Sequence, residues 1–300
     1  MKVRDWINRW LDVYVKNGVR ENTYHKYCQL IDSHILPYIG DTELNALKAD
    51  AIRRFISVEL HEKKGLSASS VNTVLSVLKS ALKEAEDAEI IWKNPCRNIK
   101  RFTVNERKID AFTRTEQGII ENYIIHKKRN KLYGILICLY SGLRIGELLA
   151  LTWNDVDFRR DIMTINKTIS IGGKLSPTKT QSGVREIPIC KRLLPFLKEM
   201  RKSATSEFVI ETNGHYTDIR GYQGLFHRLL KKLNVRPLGF HSLRHTYATR
   251  AMESGVDFKT LSVLMGHANA MITINRYAHS MMDTKRKAIN KLSKMSNGNE

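Results

Sequence analysis

Between residues 241 and 277 the chain places two imidazoles, a guanidinium and a phenol in an order that suits phosphate chemistry. They are His241, Arg244 three residues on, His267 directly after Gly266, and Tyr277 ten residues further. Two more cations stand upstream: Arg144 in SGLRIGELLALTW and Lys179 in TKTQSGVREIPI. Guanidinium forks hold the non-bridging oxygens of a phosphate and stabilise charge that develops there. An ammonium on a long stem is a mobile proton donor, and imidazoles pass protons or hydrogen-bond an oxyanion. Tyrosine is a covalent nucleophile that needs such help, because its unperturbed pKa is about 10. Six such groups together can hold a phosphodiester and break it by attack of a phenol.

Taken singly, each group has a plainer reading. Arg144 and Glu147 have the spacing of an ordinary surface pair on a helix, and a lysine in a hairpin usually meets only solvent. His241 and His245 are four apart, a spacing that suits a metal on a helix face, but the glutamate of HExxH is missing and no third ligand is evident. No metal is therefore predicted, and His245 is expected to support the site by packing.

The set Arg144, Lys179, His241, Arg244, His267 and Tyr277, in this order and with these local words around it, resembles the active site of the tyrosine recombinases, the phage-integrase family. The resemblance spans roughly residues 107–290 through these motifs; the rest matches only in its helical pattern. It implies an amino-terminal four-helix core-binding (SAM-like) domain that grips DNA opposite a mixed α/β catalytic domain. It implies cleavage through a 3′-phosphotyrosine link and a free 5′-hydroxyl. Arg144 and Arg244 then clamp the phosphate, Lys179 protonates the leaving oxygen, His241 acts as base, His267 hydrogen-bonds the phosphate, and Glu147 braces from behind. No cofactor is implied. The implied partners are double-stranded DNA and further copies of the chain, as a tetramer on paired sites with the carboxyl-terminal helix docked on a neighbour, with a DNA-bending or excision factor as a further candidate. The ten residues from His267 to Tyr277 are one more than a Xer-type recombinase is expected to have and similar to integrases of phages and conjugative elements. A chromosome-dimer resolvase, a type IB topoisomerase and a sequence-specific DNA-binding protein with a dead site are the competing readings.

Composition agrees with a polyanionic partner. The 300 residues hold 50 Lys and Arg against 30 Asp and Glu, a formal net charge of +20, and basic surfaces release counterions from nucleic acid on binding. Most of the surplus lies beyond residue 106, with the candidate site. At 42% hydrophobic and 27% charged the chain reads as globular, and its length suits two domains. Cys28, Cys96, Cys138 and Cys190 are far apart, without zinc or disulfide spacing. No apolar run is long enough to span a membrane and no signal-peptide pattern opens the chain, so a cytoplasmic protein is expected.

The elements that must position the site follow from periodicity. Residues 1–92 read as four helices, over 3–16, 21–39, 50–64 and 68–91, with Gly65 ending the third and Ser67 capping the fourth. The resemblance makes Arg20, Lys26, Ser67, Ser69, Ser70 and Asn72 candidates for phosphate contact. Residues 93–110, with Pro95 and a run of cations that includes Arg107, read as a basic linker, and 111–300 as the second domain. There Thr113-x-x-Glu116 is a capping box. Ser141-Gly142 breaks an apolar helix, and Arg144 falls in the first turn of the next, where an anion is favoured. Residues 161–171 alternate as one strand, Gly172-Gly173 signals a hairpin, and two strands at 174–180 and 184–189 are expected to pair, with Lys179 at their tip. Helices follow over 191–202 and 218–233, the latter with a basic face of Arg220, Arg228, Lys231 and Lys232. Two more span 241–253 and 257–265. A last amphipathic helix over 283–295 precedes a polar tail. The fold class is thus mainly α with a small antiparallel β-sheet.

Overall fold

Trp6 is fully buried, and its indole N–H donates to the Ala81 carbonyl at 2.8 Å, tying the first helix of the chain to the fourth. That contact anchors the first of two compact units, Met1–Arg107 and Lys108–Glu300, into which the computed structural model divides. The structure describes residues 1–104, 110–170, 172–178, 183–267, 269, 271 and 289–290.

Four helical rods build the first unit, as periodicity predicts, but three of them widen into π-helical turns. Helix α1 (Val3–Trp10) continues so over Leu11–Val15, α2 (Glu21–Leu30) runs through Ile31–Ile35 into α3 (Leu36–Ile39), and α4 (Ala49–Arg54) continues over Phe55–Lys63. One widening has a visible cause. Pro37 has no N–H to give the carbonyl of Ser33, four residues back, and Lys64 caps that orphaned oxygen at 2.6 Å. Helix α5 (Ala68–Asp87) has the expected Ser67 cap, whose hydroxyl accepts from the Ser70 amide. It stops four residues before the predicted end, because Glu89 turns the chain at φ 57°. The face of Val71, Val74, Leu75, Leu78, Ala81 and Leu82 closes the core. Its flank holds the chain that follows: both ends of the Asn72 amide bond the main chain of Phe102, at 2.9 and 2.8 Å, and Lys79 reaches the Ile99 carbonyl.

The second unit opens with α6 (Arg114–Lys127), where Thr113 and Glu116 make the predicted capping box. Helix α7 (Asn130–Ser141) is buried along most of its length and ends at Gly142; α8 (Ile145–Ala150) follows. The strands depart from the expected pattern. The single strand read over 161–171 is two, β2 (Ile162–Ile165) and β3 (Lys167–Ile169), which join different sheets. Strand β2 lies between β1 (Val156–Asp157) and β5 (Arg185–Pro188), while β3 pairs antiparallel with β4 (Leu175–Pro177). The chain changes partner at Asn166, whose carbonyl accepts from the Thr178 amide beyond the end of β4. The two strands that flank Lys179 therefore do not pair with each other. Periodicity carries no record of this, because residues on either side of the switch keep alternating. The Gly172-Gly173 turn does join β3 to β4, with Gly173 at φ 78°.

Helix α9 (Leu194–Lys202) begins later than predicted, with Pro195 in its first turn. A short hairpin of β6 (Glu211–Thr212) and β7 (His215–Tyr216) comes next, then α10 (Ile219–Lys232), α11 (Ser242–Glu253) and α12 (Phe258–Met265). One apolar core gathers α6 to α10 and the three-stranded sheet, and Ala248, Met252, Leu261 and Met265 form a smaller one between α11 and α12. Most of the expected helix over 283–295 lies outside the described residues.

Candidate active site

Arg144 occupies the cap position of α8 rather than its first turn, with φ −73° and ψ 150°. The Glu147 carboxylate accepts from the Arg144 amide at 3.0 Å and from its guanidinium at 2.7 Å. This is the spacing of a surface pair, but Glu147 is only 4% exposed. Burial pushes the Glu147 carboxyl up; hydrogen bonds and charge from Arg185, then the charge of Arg144, outweigh it and hold the group below its ordinary range. The carboxylate stays ionised and fixes the Arg144 fork, whose other end donates to the Gly266 carbonyl at 3.2 Å.

Arg244, on the first turn of α11, is 2% exposed. It donates to the Gly142 carbonyl at 2.7 Å and to the Met265 carbonyl at 2.6 Å. It thus ties the turn before Arg144 to the turn before His267. Gly142 permits this twice over. Its φ of 67° is left-handed, and a Cβ there would lie 2.4 Å from the ring of Tyr247. Gly266 ends α12 in the same left-handed conformation and turns the chain into His267, which is half-buried. His241 is exposed at the cap position of α11, and the rings of His241 and His245 meet edge-on at 4.7 Å. Among the described residues no group of three or more His, Cys, Asp or Glu is placed to hold a metal ion.

The structure thus gathers Arg144, Glu147, Arg244 and the Gly266-His267 turn, with His241 and His245 at the start of the Arg244 helix. Lys179, Tyr277 and Arg107 lie outside the described residues. Of the other candidates, Arg20, Lys26 and Ser69 are exposed on the first unit, as are Arg220, Arg228, Lys231 and Lys232 along α10. Asn72 spends its amide on Phe102.

Sequence reasoning missed Arg185. Its side chain is 3% exposed and donates to Glu147 at 2.9 Å. The signal was present: in Arg-Glu-Ile-Pro-Ile, Arg185 is in phase with Ile187 and Ile189, so an alternating strand must turn it inward. It also missed the hold on Phe112, whose N–H donates to the Thr246 hydroxyl and whose carbonyl accepts from Arg250. That grip fixes the start of the second unit to α11.

A helical first unit, and a mixed second unit with arginines drawn to the end of one helix beside a histidine turn, fit an enzyme class that handles a phosphodiester. The chain belongs to the phage integrase family, whose model matches residues 114–284, and it is a tyrosine recombinase. The N-terminal SAM-like domain model of phage integrases matches residues 2–58. Among curated relatives, a XerC-like tyrosine recombinase of Caldanaerobacter subterraneus subsp. tengcongensis is 28% identical, over 96% of this chain and 82% of that one. The ICEBs1 integrase of Bacillus subtilis is 26% identical over 91% and 78%. Among solved structures, the Tn1549 transposon integrase in complex with a circular intermediate DNA matches with a TM-score of 0.83 at 25% identity, covering 97% of this chain and 99% of that one. A lambda integrase dimer bound to a core site shares the fold at a TM-score of 0.73.

Proposed function

We propose that this recombinase cuts and rejoins duplex DNA to integrate or excise a phage or another mobile element, with Tyr277 as nucleophile. The phenol oxygen attacks the scissile phosphorus, its proton passing to His241. The bond to the 5′-oxygen breaks, and Lys179 supplies the proton that makes it a hydroxyl. Arg144 and Arg244 hold the non-bridging oxygens, where charge develops, and His267 adds a hydrogen bond. The phosphotyrosine keeps the energy of the broken bond, so a 5′-hydroxyl from another strand reseals it.

The observation that carries this reading is the convergence of Arg144 and Arg244 on neighbouring carbonyls, Gly266 and Met265, immediately before His267. Two guanidiniums from separate segments meet at one turn. The proposal takes as partners double-stranded DNA and, as the family resemblance implies, further copies of the chain as a tetramer on paired sites that exchange carboxyl-terminal helices. Among the described residues no helix is long and apolar enough to cross a membrane, and a cytoplasmic setting is part of the proposal. The XerC-like relative supports a second biology, chromosome-dimer resolution, for the same chemistry.

Covalent trapping on fragmented host DNA tests the reading. Wild type is expected to give SDS-resistant adducts on particular fragments, and Tyr277→Phe to bind DNA but give none. Adducts from Tyr277→Phe would remove Tyr277 from the role. Captured fragments at a mobile-element junction favour integration; fragments near a chromosome terminus favour resolution.

A further inference from the structure

The last three carbonyls of the α12 end, those of Leu264, Met265 and Gly266, each accept from an arginine on a different segment. Arg185 reaches the first at 2.8 Å, Arg244 the second at 2.6 Å and Arg144 the third at 3.2 Å. A helix leaves these carbonyls without partners of its own, and its carboxyl end carries partial negative charge, so the α12 end is a natural gathering point for cations. Two of the three have a role in the proposed chemistry. Arg185 has none, and at 3% exposure its side chain is sealed from any DNA.

What Arg185 touches gives it a task. Its guanidinium meets the Glu147 carboxylate through two nitrogens, at 2.9 and 3.3 Å, and also donates to the Gly183 carbonyl on the segment between β4 and β5. The same carboxylate holds Arg144. One buried carboxylate against Arg144 alone would neutralise it. Shared between two guanidiniums, the carboxylate orients Arg144 and still leaves a net positive charge for a phosphate. We propose that Arg185 is a positioning residue for strand cleavage: it satisfies Glu147 and fixes that carboxylate to the α12 end, so that Arg144 is held in place without being neutralised. This rests on the reading that Arg144 holds the scissile phosphate.

The test compares wild type, Arg185→Met, Arg185→Lys, Arg144→Lys and the double variant Arg144→Lys/Arg185→Met. The probe is a duplex fragment that wild type captures covalently, and both the single-turnover rate of adduct formation and the DNA affinity are measured. Arg185→Met is expected to slow adduct formation on the order of 10²-fold, the scale of a misplaced reacting group, with affinity unchanged. Arg185→Lys, which restores charge but not the fork, is expected to recover part of the rate. In the Arg144→Lys background the Arg185→Met change should cost little more, because both act through one guanidinium. Should Arg185→Met not fold, Glu147→Gln/Arg185→Met removes both buried charges together; adduct formation slowed no more than by Glu147→Gln alone is then expected, and a further loss of rate overturns the proposal. A wild-type rate in Arg185→Met overturns the proposal, as do losses that multiply in the double variant, which mark a merely structural residue. If wild type itself gives no adduct, the recombinase chemistry falls and this proposal with it; adducts from wild type with an unaffected Arg185→Met sink this proposal alone.

Discussion

Arg244 is 2% exposed and bonds two main-chain carbonyls, whereas the Arg144 side chain is 39% exposed and anchored mainly by one carboxylate. Removing either should lower the rate of adduct formation by about 10²–10³, the usual loss for an electrostatic stabiliser. Their effects on folding should differ. Arg244→Ala orphans buried carbonyls, at about 1–3 kcal/mol each, and opens a cavity between α11 and α12. Arg144→Ala leaves Glu147 paired with Arg185. Thermal melts beside the cleavage assay check this: Tm should fall by several degrees for Arg244→Ala and little for Arg144→Ala. Equal losses would mean that Arg144, not Arg185, is the principal partner of Glu147. At this scale Arg144, Glu147 and Arg244 were named from the sequence, and the structure brings those three together, while Lys179 and Tyr277 lie outside the described residues. Arg185 was not named, because a buried arginine in a strand looks like any surface cation until its phase with Ile187 and Ile189 is read.

Elements were legible where a local signal forces them and obscure where a partner decides. The capping box at Thr113, the serine cap at 67 and the glycine stop at 142 act within one turn of chain, so sequence alone places them. The hairpin of β6 and β7 was not read from the sequence, although Asn213-Gly214 is the residue pair of a tight turn and both residues lie at positive φ, 53° and 80°. The change of sheet at Asn166 is set by which strand lies alongside, so no local pattern reports it. The π-helical turns are equally hidden: the 3.6-residue rhythm of Trp6 and Trp10 points next to Val13, yet Val13 is exposed and the buried face passes through Leu11 and Val15 instead. Gly142 tests the element scale directly. It ends α7, frees the chain to enter α8, and offers its carbonyl to Arg244. Gly142→Ala puts a side chain at φ 67° and a Cβ against Tyr247. The variant should lose more than about 1 kcal/mol of stability in urea titration and, by shifting the carbonyl that holds Arg244, lose cleavage rate as well. A variant with native stability would mean that Tyr247 moves aside at no cost.

Across the whole molecule, charge is the property that sequence reports most directly, because it needs no fold to be counted. A net charge of +20, with the surplus beyond residue 106, sets the expectation that DNA affinity falls steeply with salt, by roughly 0.9 in log–log slope for each phosphate neutralised. What sequence could not report is which cations are committed elsewhere. Arg220, Arg228, Lys231 and Lys232 all lie exposed on α10, yet Lys232 stands 5.4 Å from the ring centroid of Tyr123 and, by hydrogen bonding, holds that phenol below its ordinary pKa. A lysine engaged with a phenol has less to give a phosphate. Replacing Arg220, Arg228 and Lys231 singly by Gln should therefore reduce the salt slope by about one wherever the side chain meets a phosphate, whereas Lys232→Gln should change it least. Titrations of a captured duplex across a range of salt concentrations give each slope. If all four leave it unchanged, α10 faces solvent in the complex, and the basic surplus that draws DNA to this unit lies on other faces.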